Sequence, residues 1–154
     1  MKKLFVFDLD FTLWDAGGTW CDCTIPPYRK KGNEIYDAEG SHIKLYPDVI
    51  HILETLRKSG KKIAVASRTS APKSARQLMK LLKFDHMIDY SEIYPRQKTF
   101  HFNELSKQSG LDYNDMVFFD DEMRNIRDLQ DAGVESIHVS DGICKDLVFR
   151  YLAD

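Results

Sequence analysis

Two aspartates, Asp8 and Asp10, follow the first apolar run of the chain with one residue between them. Residues 4–7 are rich in β-forming side chains and form too short a run for a helix, so they predict a buried strand. A turn that begins where this strand ends can bring both carboxylates to one pocket. Two acids placed there can hold a cation, and they can also act separately as a nucleophile and a general acid/base. The pair therefore indicates an enzyme.

Other chemically useful side chains also follow apolar runs. Ser67 and Arg68 come directly after the second run, and Lys98 lies just past the third. The adjacent acids Asp120 and Asp121 end the fourth run. The carboxyl ends of parallel strands share one edge of a sheet, so these groups converge if the first strand lies between the second and the fourth. The pattern predicts one site at this edge.

The elements that would position these groups alternate between strands and helices, which predicts an α/β fold with a doubly wound parallel sheet. Five strands are expected, at residues 4–7, 62–66, 87–93, 116–119 and 136–139. Helices are expected to begin near residues 47–48, 72, 99 and 122, and a last helix is expected to contain residues 147–152. Thr69 or Ser70 is predicted to cap the helix that has Pro72 in its first turn.

Residues 14–46 interrupt this alternation after the first strand. They contain Gly17, Gly18, Pro26, Pro27, Gly32 and Gly40 and lack helical periodicity. We therefore expect turns and short antiparallel strands, forming a small insertion at the edge of the sheet. The aromatic residues Trp14, Trp20, Tyr28 and Tyr36 could shield the site and select the substrate, or they could form a small hydrophobic core for the insertion.

Composition and charge restrict the class of protein. The chain has 154 residues, 43% of them hydrophobic and 30% charged, which is typical of one soluble domain spanning residues 1–154. The formal net charge of −2 and the lack of a basic stripe argue against nucleic-acid binding. No apolar run approaches the length of a membrane span. Three cysteines and a start without a signal-peptide core favour a cytoplasmic location.

The predicted cluster of carboxylates requires a cation. Four carboxylates around one point repel one another and raise one another's pKa unless positive charge lies between them. Their hard oxygen ligands suit Mg²⁺, which usually takes a few carboxylates and keeps water or phosphate at its other positions. Lys98 would add a point charge for phosphoryl oxygens, and Ser67 would add a hydroxyl donor. The set predicts magnesium-dependent phosphoryl transfer.

These groups and their neighbours resemble the motifs of the haloacid dehalogenase superfamily of phosphohydrolases, and they occur in that family's order. The matching residues are Asp8-Leu9-Asp10-Phe11-Thr12-Leu13, Ser67, Lys98 and Phe118-Phe119-Asp120-Asp121. Finer motifs are similar to the magnesium-dependent phosphatase-one group, namely Ala66-Ser67-Arg68-Thr69, Glu92-Ile93-Tyr94-Pro95 and the segment 118–126. The resemblance implies a Rossmann-like fold with no large cap, and phosphotyrosine-type or sugar-phosphate substrates.

The resemblance also implies a role for each residue. Asp8 would be the nucleophile, forming an aspartyl phosphate, and Asp10 would be the general acid/base. Ser67 and Lys98 would bind the phosphoryl group. Mg²⁺ would be held by Asp8, by the backbone carbonyl of Asp10 and by Asp121, with Asp120 beside them.

Several alternatives stay open at this point. Ser67 could cap a helix, and Arg68 could bind phosphate or pair with a carboxylate on the surface. Arg124 and Asn125 could line the site, but they are interpreted as local capping and solvated groups, outside the core site. A structural zinc site at Cys21 and Cys23 would need two further ligands from the distant His42, His51 and Cys144.

At the level of function, two alternatives to a phosphatase remain. A receiver-like phosphoacceptor domain also combines aspartate, Mg²⁺, a hydroxyl and lysine. Receivers, however, place an acidic pair after strand one and the phosphorylated aspartate after strand three. In this chain an Asp-x-Asp pair comes first, and the adjacent pair follows strand four. A catalytically inactive binding module on the same fold is the other. The expected partner is a phosphorylated small molecule or a protein-borne phosphate, and the oligomeric state stays open.

Overall fold

The structure is a computed structural model, and it describes residues 1–152 of the chain. The strands are β1 (Leu4–Phe7), β2 (Trp14–Ala16), β3 (Arg29–Lys31), β4 (Glu34–Tyr36), β5 (His42–Leu45), β6 (Lys62–Ser67), β7 (Tyr90–Ile93), β8 (Met116–Asp120) and β9 (Glu135–His138). The helices are α1 (Val49–Lys58), α2 (Pro72–Leu81), α3 (Lys98–Ser109), α4 (Met123–Asp131) and α5 (Lys145–Phe149). Short 3₁₀ turns lie at Cys21–Cys23, Asp85–Met87 and Tyr113–Asp115.

A parallel five-stranded sheet with the order β7-β6-β1-β8-β9 forms the centre of the fold. Strand β1 lies between β6 and β8, with Phe7 opposite Val65 on one side and Phe119 on the other. This order confirms the predicted doubly wound α/β sheet. It also brings the carboxyl ends of β1, β6 and β8 side by side.

Both faces of the sheet are covered, which explains why β1 is an unbroken apolar run. Phe5 and Phe7 point into the larger core, which includes Leu53 of α1. Leu4 and Val6 point into a second core that includes residues of α3 and α4. Alternate side chains of one strand therefore bury themselves on opposite faces, and the strand is held rigidly in the middle of the molecule.

The insertion at residues 14–46 forms a separate antiparallel sheet with the order β2-β5-β4-β3. Short antiparallel strands were predicted correctly, but their position at the edge of the parallel sheet was wrong. Among residues 1–152, no strand ladder joins the two sheets. Apolar packing decides the position of the insertion sheet. The Trp14 ring of β2 is fully buried and lies 6.1 Å from the ring of Phe84, which follows α2 in the chain. The described chain has no large cap domain.

The boundaries of several elements differ from the prediction in ways that matter for the site. Ser67 and Asp120 are the last residues of their strands, and α3 begins at Lys98. The predicted capping of α2 by Thr69 or Ser70 was wrong, since Ala71 occupies the N-cap position. Thr69 lies two residues before this N-cap, and its hydroxyl accepts a hydrogen bond from the Ala71 N–H at 3.1 Å.

Over residues 1–152, every helix is too short or too polar to cross a bilayer.

Candidate active site

The ends of β1, β6 and β8 surround a cavity of about 240 Å³. Its walls include five of the predicted site residues, which are Asp8, Asp10, Ser67, Arg68 and Lys98. Asp120 is fully buried beneath the cavity. Asp121 lines a separate depression, together with Phe11 and Asp15. The parallel sheet therefore brings together groups that are up to 113 residues apart, from Asp8 to Asp121.

Lys98 lies between two of the aspartates at the floor of the cavity. Its Nζ donates to Asp8 Oδ1 at 2.9 Å and to Asp120 Oδ2 at 2.7 Å. The side chain is 1% exposed. Burial lowers the pKa of Lys98, but the negative charges of Asp120 and Asp8 together raise it by more, so the net shift is upward. The ammonium group stays charged and holds the two carboxylates in place.

Three carboxylates meet at this floor, those of Asp8, Asp120 and Asp121. One ligand oxygen from each lies within 4.8 Å of the others. Burial and the nearby Asp120 charge raise the pKa of Asp8 well above its ordinary value, against the opposing effect of Lys98. One lysine cannot balance three carboxylates, and the excess negative charge with hard oxygen donors fits a divalent cation such as Mg²⁺.

Asp10 is held apart from this cluster. Its Oδ1 accepts the Trp14 indole N–H at 2.7 Å and the Cys21 backbone N–H at 2.8 Å. Within residues 1–152, no hydrogen bond uses Oδ2, and the side chain lines the cavity. Burial raises the pKa of Asp10 despite these two hydrogen bonds. A raised pKa and an unused oxygen suit a group that gives and takes protons. If Asp10 binds the metal, its backbone carbonyl would be the ligand, and this role stays a prediction.

A tight turn after β1 sets the positions of the two aspartates. The amides of Thr12, Leu13 and Trp14 all lie within hydrogen-bonding distance of the Leu9 carbonyl oxygen, at 2.9–3.2 Å. Phe11 takes a left-handed conformation with φ of 61°, which is strained for a residue with a side chain. Strain of this kind is maintained where the surrounding structure requires it, and functional sites are common examples.

Asn125 connects the two sides of the cavity, although its position in the sequence favoured a local cap. Its Nδ2 donates to Asp120 Oδ2 at 3.1 Å, and its Oδ1 accepts Arg68 Nη1 at 3.1 Å. The residue is buried and lines the cavity, so interpreting it as a local cap was wrong. The sequence did contain a signal for a role in the site, because Asn125 belongs to the segment 118–126 and lies one helical turn after the acidic pair. The same bond directs Arg68 inward, and within residues 1–152 no ion pair involves Arg68.

The aromatic residues of the insertion divide into two groups. Trp14 is part of the core, and its indole positions Asp10. Trp20 is 51% exposed, lines the cavity and packs its ring edge-on against Phe11. Tyr28 is half-buried and shares a hydrogen bond with Thr24 at 2.6 Å, away from the cavity lining. Of these three, Trp20 is the one placed to contact a substrate.

The 3₁₀ turn that contains the two cysteines fastens the insertion to the site. Cys21 is buried, and its Sγ lies 3.4 Å from Thr69 Oγ1, while Asp22 accepts the Ser70 hydroxyl at 2.9 Å. Cys23 is exposed. Within residues 1–152, the potential metal-binding cluster consists of aspartates, and neither cysteine belongs to it. The geometry gives the turn a structural role rather than a zinc site.

The metal-free protein should lose stability as the pH rises. Burial raises the pKa of Asp121 from 3.8 to about 6, although its contact with Asp8 opposes this. The folded state therefore binds this proton more tightly than the unfolded state does. The resulting stabilisation is complete below about pH 4 and disappears as the pH rises through about 6. We expect the Tm in EDTA to fall over this range, less so in Asp121→Asn, as measured by thermal unfolding. A Tm difference between the two proteins that does not vary with pH would contradict this assignment.

Comparison with known proteins agrees with this geometry. The sequence profile of the acid phosphatase family matches residues 1–154. Magnesium-dependent phosphatase 1 of Homo sapiens is 40% identical over 145 residues, which cover 93% of this chain and 81% of the human protein. A HAD-like hydrolase superfamily protein of Schizosaccharomyces pombe is 39% identical over 145 residues, covering 86% of this chain and 82% of the yeast protein.

Solved structures share the fold. A haloacid dehalogenase-like hydrolase of Streptococcus pneumoniae superposes with a TM-score of 0.67 at 16% identity, covering 96% of this chain and 90% of the other. The 3-deoxy-D-manno-octulosonate 8-phosphate phosphatase of Moraxella catarrhalis, solved with magnesium and phosphate ions, gives 0.58 at 23% identity, covering 94% and 70%. With the family match over the whole sequence, these findings establish that the chain belongs to the acid phosphatase family, within the haloacid dehalogenase superfamily.

Proposed function

We propose that this phosphatase hydrolyses phosphomonoesters through an aspartyl phosphate on Asp8, with Asp10 as general acid/base and Mg²⁺ as cofactor. Dependence on magnesium is supported by the human relative's name and by the carboxylate cluster. The observation that carries the mechanism is the different environment of the two aspartates. Asp8 sits beside Lys98 and two further carboxylates, whereas Asp10 is held apart with one oxygen unused.

In the first step, an oxygen of Asp8 attacks phosphorus while the bond from phosphorus to the leaving oxygen breaks. Asp10 gives its proton to that oxygen, so that the product leaves as a neutral alcohol. In the second step, water attacks phosphorus and Asp10 takes a proton from it. The bond between phosphorus and Asp8 then breaks, which releases inorganic phosphate and restores both carboxyl groups.

The other residues of the cavity bind and orient the phosphoryl group. Lys98 and Arg68 bring positive charge to its oxygens, and Ser67 lines the same cavity at the end of β6. Asp8, the Asp10 backbone carbonyl and Asp121 would hold Mg²⁺, with Asp120 beside them. When bound, Mg²⁺ offsets the repulsion between the Asp8 carboxylate and a phosphate dianion.

The size of the cavity and its exposed Trp20 support the proposed substrate class. A cavity of about 240 Å³ accommodates the phosphoryl group and the adjoining part of a leaving group, so a larger substrate would extend into solvent. The exposed Trp20 ring at the mouth offers a flat apolar surface. Phosphotyrosine-type substrates and sugar phosphates both fit this description, whether the phosphate is protein-borne or on a small molecule.

The proposal is tested by phosphate release from an aryl phosphate with and without Mg²⁺, followed by acid quenching and peptide mass spectrometry. We expect release that requires Mg²⁺ and a transient phosphoryl group on the peptide containing Asp8. A phosphoryl group that forms but is not hydrolysed would favour a receiver-like phosphoacceptor. Neither release nor modification would favour a catalytically inactive binding module.

Trp20→Ala is expected to change substrate preference rather than chemistry. Loss of ring contact should raise KM for phosphotyrosine peptides by about 3- to 10-fold, and kcat and the KM for a sugar phosphate should change little. Steady-state kinetics on both substrates measure this, and Trp20→Phe is the control that keeps an aromatic ring. Equal loss on both substrates would assign Trp20 a structural role.

A further inference from the structure

A second and larger hollow lies between the insertion sheet and helices α1 and α2. Its volume is about 620 Å³, and it shares no lining residue with the active-site cavity. Apolar side chains from both sides line it, namely Ile43, Leu45, Ile50, Leu81 and Leu82. We call it the insertion groove. It is within the size range of sites that bind ligands, and the phosphatase mechanism does not use it.

The rim of the insertion groove is positively charged. Lys30, Lys44 and Lys83 line it and are exposed, and Glu34 is the one carboxylate among its lining residues. This local excess of positive charge occurs in a chain whose formal net charge is −2. An apolar floor inside a basic rim complements a ligand that carries both aliphatic groups and negative charges.

Lys83 stands at a backbone position that would favour glycine. It follows α2 with φ of 64°, where Lys83 N donates to Lys80 O and Phe84 N donates to Met79 O, both at 3.1 Å. This is a Schellman ending, whose left-handed residue is usually glycine. Two other helices, α1 and α4, end this way with a glycine, Gly60 and Gly133, and α3 ends at a left-handed Gly110. At α2 the chain keeps a lysine side chain beside the insertion groove despite the backbone strain.

The insertion groove also adjoins a free sheet edge. Strand β3 is the edge strand of the insertion sheet, and its three residues are all exposed. Lys30 lines the insertion groove, whereas Arg29 and Lys31 line a depression elsewhere on the sheet. An edge strand offers unpaired backbone groups to an extended peptide, and Lys30 is the residue at which such a peptide would enter the insertion groove. A free edge of this kind gives no added contact to a small amphiphile.

From these observations we propose that the insertion groove is a docking site for an acidic, aliphatic peptide segment of a partner protein. The peptide starts extended along β3 and continues past Lys30 into the insertion groove, where its aliphatic side chains contact Leu45, Leu81 and Leu82. Its carboxylates pair with Lys30, Lys44 and Lys83. The proposal concerns binding and is independent of the proposed phosphatase mechanism.

The test is fluorescence anisotropy with a labelled peptide of alternating glutamate and leucine or valine. We expect saturable binding that weakens with salt, and at least about tenfold weaker binding of the matching lysine peptide. Lys83→Glu and Leu82→Asp should each weaken binding about tenfold or more. Lys80→Glu makes the same charge change on α2 outside the insertion groove and should alter binding less than about twofold. Hydrolysis of an aryl phosphate should stay unchanged in all three variants.

A further variant separates binding from folding. Lys83→Gly removes the side chain and relieves the backbone strain, so it should raise Tm while weakening peptide binding. Equal binding by Lys83→Gly and the parent protein would overturn the proposal. So would equal effects of Lys83→Glu and Lys80→Glu, or equal affinity for the lysine peptide. Occupation by dodecanoate but not by the peptide, or burial of the insertion groove in a dimer detected by sedimentation, would also overturn it.

Discussion

Asp8→Asn is expected to lower kcat by about 10⁴-fold or more, because the amide cannot attack phosphorus as the carboxylate does. The fold should survive the change. The pKa of Asp8 is raised by burial and by the Asp120 charge, so its ionised carboxylate is unfavourable where it lies. We therefore expect the metal-free variant to have a Tm at neutral pH equal to or above that of the parent protein. Phosphate release and thermal unfolding in EDTA measure the two effects.

Asp22→Asn is the matched control for this variant. Asp22 lines the same cavity but lies outside the carboxylate cluster, so the same chemical change should lower kcat less than about tenfold. Magnesium-dependent turnover by Asp8→Asn at the parent's rate would refute the nucleophile assignment. Loss of activity together with a loss of folded structure would count against the assignment that Asp8 serves chemistry rather than stability.

Lys98→Met is expected to lower both stability and activity. The substitution keeps a long side chain but leaves Asp8 and Asp120 without the ammonium group that donates to them at 2.9 and 2.7 Å. Removing one partner of a buried ion pair costs about 3–5 kcal/mol of the free energy of unfolding. Activity should fall by about 10³-fold, because the remaining carboxylates lose their position and the phosphate loses a cation.

The role of charge can be separated from packing by adding Mg²⁺. If Lys98 acts by balancing the three carboxylates, Mg²⁺ should raise the Tm of Lys98→Met more than that of the parent protein. Lys107→Met is the control, since Lys107 pairs with Glu104 on the surface and its loss should cost less than about 1 kcal/mol. Equal effects of Mg²⁺ on the two Tm values would contradict the charge-balancing role.

Much of the fold could be predicted from local pattern. A run such as residues 4–7, apolar at every position, is typical of a strand covered on both faces, and β1 is covered by two separate cores. Gly110 marked the end of α3, and it takes the left-handed conformation there. The insertion was harder to place because its strands are three or four residues long and carry no signal for the surface they pack on.

The candidate site was predicted where residue type is itself informative. Asp8, Ser67 and Lys98 stood at the ends of apolar runs, and parallel strands necessarily bring such ends to one edge. Asn125 was misinterpreted because an amide in the first turn of a helix is usually a cap or a solvated group. Its role depends on Arg68 and Asp120, and the contact with Arg68 spans 57 residues of sequence.

By itself, the sequence indicated a magnesium-dependent phosphatase, because carboxylates, a lysine and a hydroxyl that follow parallel strands need no long-range information beyond parallel pairing. Only the tertiary structure decided how the two first aspartates differ. The Trp14 indole and the Cys21 amide hold Asp10 away from the cluster, and Lys98 holds Asp8 within it. Such differences arise from contacts between side chains and backbone groups that packing brings together. Local patterns do not record those contacts, although they specify the elements that make them.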